Sequence, residues 1–177
     1  FYSDDAKHGI MSRLVWHAIA TYNRKSTDKL AKILAQEKPD AVHTHNLMGL
    51  GFLIPRAIRR LGMRHVHTVH DVQLIHPSGL LPANGRGGRI VSALSSIVTR
   101  PLFGSPERVL FPSRYLMALH ERYGFFPSSA REVVTNPAPP AGERRIAPTS
   151  PSFLFVGQLT AHKGIRLLLD VWKGFVA

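Results

Sequence analysis

The sequence predicts an α/β fold: a parallel sheet with flanking helices, followed by the first strand and helix of a second unit. Three observations carry that expectation. Short apolar runs alternate along the chain with stretches of helical apolar spacing, the pattern of buried parallel strands joined by crossover helices. Helix ends carry residues suited to them, Ser113 as an N-cap and Gly62 and Gly124 as C-terminal stops. Polar residues gather where the expected strands end, which in such sheets is the side that receives ligands.

The elements follow in order. Ile10, Met11, Leu14, Val15, Ala18, Ile19 and Tyr22 keep helical spacing, and Leu30, Ile33 and Leu34 resume it after Ser26-Thr27-Asp28. One long helix, or two with a break near Ser26, is expected. Pro39 ends the run, because it cannot continue the hydrogen-bond ladder and biases Lys38 away from helix. A strand at 41–44, a helix over 49–61 with Pro55 in its first turns, and a strand at 65–69 come next. Pro77, Gly79, Pro82, Asn84, Gly85, Gly87 and Gly88 make 71–89 a long irregular loop. Gly87-Gly88 suggests a mobile loop in preference to a phosphate cradle. A helix at 90–98, a strand at 108–111, a helix at 113–123 and a strand at 131–135 complete the first unit. Residues 137–150 have a linker's composition, rich in proline and poor in large apolar side chains. The expected division is therefore 1–136, 137–150 and 151–177. In the last part Phe153-Leu-Phe-Val-Gly157 reads as a strand and Ile165 onward as an amphipathic helix.

Composition bounds the function. Lys and Arg number 23 against 11 Asp and Glu, a formal charge of +12, which favours an acidic partner such as a nucleic acid, an anionic membrane face or a phosphorylated small molecule. No interleaving of basic residues with exposed aromatics, and no known reading motif, points to nucleic acid, and a basic nucleic-acid-binding fragment stays as an alternative function on charge alone. The absence of cysteine removes disulfides, thiolate metal sites and cysteine nucleophiles, and suits a cytoplasmic protein. No apolar run approaches the roughly 18 residues of a membrane span. The start at Phe1 lacks a signal-peptide layout, so the chain reads as an internal piece of a longer protein.

Five loops are candidates for a site: His45-Asn46, His70-Asp71, Pro112-Ser113-Arg114, Asn136-Pro137 and Gly157 onward. His45, Asn46, Asp71, Ser113 and Arg114 are the candidate substrate contacts. His43 and His67 are expected to be buried in strands and satisfied by backbone groups. The pairs His43/His45 and His65/His67 place two rings on one strand face, which leaves a zinc hydrolase as an alternative. His70 stands where a strand passes into a loop, so its ring is expected to face a cleft, with Asp71 beside it. Gly157-x5-Lys163-Gly164 is not a Walker loop, which needs Gly-Lys followed by Ser or Thr. Lys163 at a helix start remains suited to a diphosphate, or is an ordinary surface lysine.

Taken in order, Lys38-Pro-Asp-Ala-Val-His-Thr-His-Asn46, Thr68-Val-His-Asp71, Val109-Leu-Phe-Pro-Ser113, Val134-Thr-Asn136-Pro137 and Phe153-Leu-Phe-Val-Gly157 through Lys163-Gly164 resemble the GT-B glycosyltransferases of family 4. The resemblance implies a Rossmann-like acceptor domain over 1–136, here incomplete and without its first strands. A linker at 137–150 and the start of a nucleotide-sugar domain at 151–177 would follow. It implies a retaining transferase that moves a sugar from a nucleotide-diphosphate sugar to an acceptor hydroxyl. No metal or other cofactor is required.

By position, His70 matches the family's active-site histidine and Lys163 the lysine that binds the donor diphosphate. Gly157 falls in the glycine turn and Asn136 at the crossover beside the cleft. Gln158 stands where the family usually has a second, arginine ligand of the diphosphate, which loses charge and fork geometry. Arg166 is a candidate to compensate. The family's upstream glycine loop and downstream glutamate pair are absent from this chain, so the fragment alone is expected to be inactive. Its partners would be a nucleotide sugar and a sugar or lipid-linked acceptor, not nucleic acid. The positive charge would hold it peripherally at the inner face of an anionic membrane.

Overall fold

The computed structural model describes residues 17–19, 21–80, 86–138, 153–159 and 163–176. The chain divides into two compact units, Phe1–Pro137 and Ala138–Ala177. Among the described residues the first unit runs α1 (Arg24–Glu37), β1 (Ala41–Thr44), α2 (Ile54–Arg60), β2 (Arg64–Thr68), α3 (Arg86–Phe103), β3 (Arg108–Phe111), α4 (Arg114–Arg122) and β4 (Ala130–Val133). The second unit contributes α5 (Ile165–Val176). The four strands are parallel and lie in chain order. This is the predicted Rossmann-like α/β architecture.

The helix boundaries follow their caps. Helical residues at 17–19 and 21–22 precede α1, and the break falls at Asn23 instead of Ser26. The Asn23 carboxamide accepts the Ser26 N–H at 3.0 Å and its carbonyl accepts the Thr27 hydroxyl at 2.8 Å, so an asparagine cap decides the position. The predicted Ile10–Val15 portion lies outside the described residues. Lys38 closes α1 in left-handed geometry (φ 47°), its N–H bonded to the Leu34 carbonyl at 2.9 Å.

The second predicted helix starts at Ile54, five residues later than Gly49, because 45–53 is spent on turns. Gly51 carries φ 112° there, and a Cβ at this position would lie 3.1–3.3 Å from Asn23 atoms, two of them backbone. Glycine thus lets the loop after β1 press against the cap of α1.

The helix expected at 90–98 extends at both ends to Arg86–Phe103. Gly87 and Gly88 belong to its first turn and not to a mobile loop, and Pro101 sits inside its last turn. Two tertiary ties offset these weak helix formers: Thr99 Oγ1 donates to the Leu74 carbonyl at 2.6 Å, and Phe103 is buried. Residues 71–80 are turns, as predicted, while 81–85 lie outside the described residues. The last strand of the sheet ends at Val133, two residues short of expectation. Phe153–Val156 joins no ladder, since no second strand stands beside it among the described residues of its unit.

Period-2 parity sorts the sheet into unlike faces. Thr44, His65, His67, Val109 and Phe111 are buried on one face. Phe103 of α3 meets the His67 ring at 4.7 Å between centroids and His120 of α4 meets Phe111 at 5.7 Å. On the other face His43, Arg64, Arg108 and Glu132 are exposed and Val66, Thr68 and Leu110 half-buried. It carries the ion pairs Arg64–Glu107 and Arg108–Glu132, each 2.9 Å, which contribute little at such exposure. The core is completed by Ile54 and Ile58 of α2 with Val72, Leu74, Ile75, Phe125 and Phe126 from loops.

Candidate functional site

Parallel strands deliver their carboxyl ends, and the loops after them, to one edge of the sheet. The loops after β1 and β2 bring His45 and His70 together: Nδ1 of His45 and Nε2 of His70 are 2.8 Å apart, and the rings stack at 5.1 Å with 23° between planes. One nitrogen donates and the other accepts, so the bond holds one proton. His43 lies against His45 on the same strand side, ring centroids 4.4 Å apart. Burial, followed by the neighbouring His43 and His70 rings, lowers the His45 pKa, which favours the neutral form that this bond needs. Both His45 and His70 are otherwise open to solvent.

Beneath them runs a buried polar row that sequence reasoning had not assembled. Thr44 Oγ1 lies 2.8 Å from His65 Nε2 and 2.9 Å from His67 Nδ1. A hydroxyl has one proton to donate, so it donates to one ring and accepts from the other. His65 Nδ1 is buried without a partner. Fewest buried donors are stranded if His65 donates from Nε2 to Thr44 and Thr44 donates to His67. Burial chiefly, then Arg59 and His43, lowers the His65 pKa to about 4; burial, then His65, His120 and His45, lowers that of His67 to about 3. Both rings are neutral fixtures of the core. The signal was available in the register, since Thr44 pairs with His67 and Val42 with His65 across the two strands.

Two expectations are corrected here. His43 is exposed, its Nε2 bonded to Thr68 Oγ1 at 2.8 Å, because its parity places it on the face opposite Thr44. His67 is buried as expected, but its partner is a side-chain hydroxyl, not the backbone.

The other predicted residues divide. Asp71 adjoins His70 in sequence but turns its carboxylate to the Gln73 N–H at 2.9 Å, and burial raises its pKa against the opposing influence of that bond and of His70. Asn46 folds its side chain onto the Met48 N–H at 2.9 Å, which shapes the loop behind His45. A notch of about 20 Å³ is bounded by Asn46, Thr68, His70, Asp71 and Gln73. Ser113 caps α4 by accepting the Leu116 N–H at 3.2 Å, and Arg114 and Asn136 are exposed. In the second unit Gly157, Gln158 and Lys163 are exposed, with Lys163 immediately before Gly164 (φ 77°) and the start of α5. Residues 160–162, between them, lie outside the described residues.

Among the described residues no group of three or more His, Asp or Glu side chains is arranged to hold a metal ion, and the hydrolase alternative gains no support. No helix among them is long and apolar enough to cross a membrane.

No solved structure matches the chain. A protein of Klebsiella pneumoniae described as "Uncharacterized 42.6 kDa protein in cps region" is 29% identical over 169 residues, covering 89% of this chain. The chain spans 43% of that relative's length. The family model described as "Glycosyltransferase Family 4" matches residues 5–141, which takes in the strands, the loops after them and the His45–His70 pair. The chain belongs to glycosyltransferase family 4.

Proposed function

We propose that the chain is the central part of an enzyme that moves a sugar from a nucleotide-diphosphate sugar to an acceptor hydroxyl, with retention of anomeric configuration. The observation that supports this most is the His45–His70 pair at the carboxyl edge of a sheet that belongs to a glycosyltransferase family. In this reading the ring of His70, fixed by His45, offers its remaining nitrogen to a sugar hydroxyl and positions the donor near the reacting carbon. Lys163, with the exposed N–H groups at the start of α5, offsets charge on the departing diphosphate. Gln158 hydrogen-bonds the same group without adding charge. The "cps region" wording of the relative suits an enzyme of polysaccharide or glycolipid assembly. In this reading the chain alone is inactive.

The test uses two proteins, the 177-residue chain and its longer natural form, each offered a panel of nucleotide sugars with chromatographic detection of released nucleotide. The longer form should turn over one donor, and His70→Ala should reduce kcat by about 100-fold or more, in the range of lost positioning and proton-handling groups. The short chain should give no product. Turnover unaffected by His70→Ala would overturn the role given to this pair.

A further inference from the structure

α1 and α2 pack side by side, and between them runs a groove of about 540 Å³, within the range of about 300–1,000 Å³ that small-molecule sites occupy. It shares no lining residue with the notch beside His70. Three arginines line it, Arg24 from α1 and Arg56 and Arg60 from α2, and all three are exposed. Arg56 and Arg60 stand one turn apart on the same side of α2, with about 5–6 Å between Cβ atoms.

In the sheet the protein pairs its arginines: Arg64, Arg108 and Arg131 each meet a carboxylate at 2.6–2.9 Å. Among the described residues Arg24, Arg56 and Arg60 have no carboxylate within ion-pair distance. Their neighbour Arg59 is committed to the Phe103 carbonyl at 2.7 Å. Its pKa is lowered by burial and then by Arg56, so the charge at Arg56 is felt there without being offset. Arg24 occupies the first turn of α1, the end of a helix where a cation is disfavoured. Helix stability therefore does not explain its place. Asp28 is the one carboxylate in the wall, which leaves an excess of two positive charges.

We propose that this groove is a second ligand site, which takes the phosphate group of a phosphorylated small molecule or of a lipid headgroup. Guanidinium forks match carboxylates as well as phosphates, but three forks outnumber the two oxygens of a carboxylate. A terminal phosphate offers three acceptor oxygens and about two negative charges near pH 7, which balances the excess in the wall. The site is separate from the histidine pair and does not depend on the glycosyl-transfer reading.

The test uses the 177-residue chain carrying Lys163→Ala, which removes the diphosphate contact proposed for the second unit. Calorimetry at low ionic strength should show saturable binding of inorganic pyrophosphate and none of acetate at matched ionic strength. Sedimentation with phosphatidylcholine vesicles, with and without phosphatidic acid, forms the second arm. Binding of pyrophosphate assigns the site to a soluble phosphate, and binding confined to the phosphatidic acid vesicles assigns it to a headgroup.

In the arm that binds, Arg24→Ala, Arg56→Ala and Arg60→Ala should each weaken binding by about tenfold or more, the effect of losing one charge-assisted contact. Lys25→Ala removes the same charge from an exposed position on α1 outside the groove wall and should matter far less. Asp28→Asn should tighten binding several-fold by removing the opposing charge, a gain that a misfolded protein cannot give. The proposal is overturned if neither arm binds, if acetate binds as well as pyrophosphate, or if Asp28→Asn fails to tighten binding. It is equally overturned if Lys25→Ala costs as much as Arg56→Ala, which would mean diffuse attraction by the net charge.

Discussion

Lowering the pH from about 7.5 to about 5 should destabilise the first unit by several kcal/mol, through three buried histidines. His65, His67 and His120 are 1%, 4% and 0% exposed, and their pKa values are lowered to about 4, about 3 and about 4. The cause at His120 is burial, partly opposed by the bond from Nδ1 to the Leu116 carbonyl at 2.9 Å. A base whose pKa is lower in the folded state binds protons more readily when unfolded. Its contribution is complete above the unfolded value, near 6.5, and is lost as pH falls toward the folded value. At about pH 5 each unfolded histidine is protonated and each folded one is not, which costs about 2 kcal/mol per residue and about 6 kcal/mol together. That is comparable to the whole stability of a typical domain, about 5–15 kcal/mol. The lowered His45 and His76 act in the same direction, while Asp71, raised by burial, acts against it. Urea unfolding followed by far-UV circular dichroism at both pH values measures the difference. His120→Phe, in a site already walled by Phe111, Phe125 and Phe126, should remove about a third of it, or about 2 kcal/mol. Equal stability at both pH values, or a His120→Phe protein with the full pH dependence, would refute the reasoning.

Further substitutions probe the supports of the site. Thr44→Val keeps the shape but removes the hydroxyl shared by His65 and His67; it should cost about 2–4 kcal/mol in urea unfolding, as two buried ring nitrogens lose their partner. Gly51→Ala should cost about 1–3 kcal/mol, because φ 112° and the Asn23 backbone at 3.2–3.3 Å leave no room for a methyl group; a loss below a few tenths would mean that the loop shifts freely. Sedimentation with vesicles should show binding that rises with anionic lipid and falls with salt, as expected from the +12 charge; equal binding to neutral vesicles would remove electrostatics from the account. Lys163→Ala in the longer enzyme should weaken nucleotide-diphosphate binding by about tenfold or more, the effect of losing one charge-assisted contact, as read by calorimetry.

The sheet was legible in the sequence because its strands are short and separated by helices whose caps work locally: Ser113 and Gly62 act where they stand. Boundaries that depended on tertiary contact were not. Nothing local announces that Gly51 must meet Asn23, or that Phe103 anchors a helix through Pro101. The histidines show the same division within one short motif. Val42-His-Thr-His45 and His65-Val-His67 contain rings that look alike in one dimension, and parity alone separates them. Once Thr44 faces the core, His43 must face away, and the register with β2 then brings His65 and His67 to the Thr44 hydroxyl. His45, one residue past the end of β1 at Thr44, keeps the side of His43 and meets His70 at the sheet edge. The candidate site is thus a consequence of where two strands stop. The parity that sends Thr44 to the core leaves His45 beside His43 on the opposite side, and the 2.8 Å bond to His70 forms there.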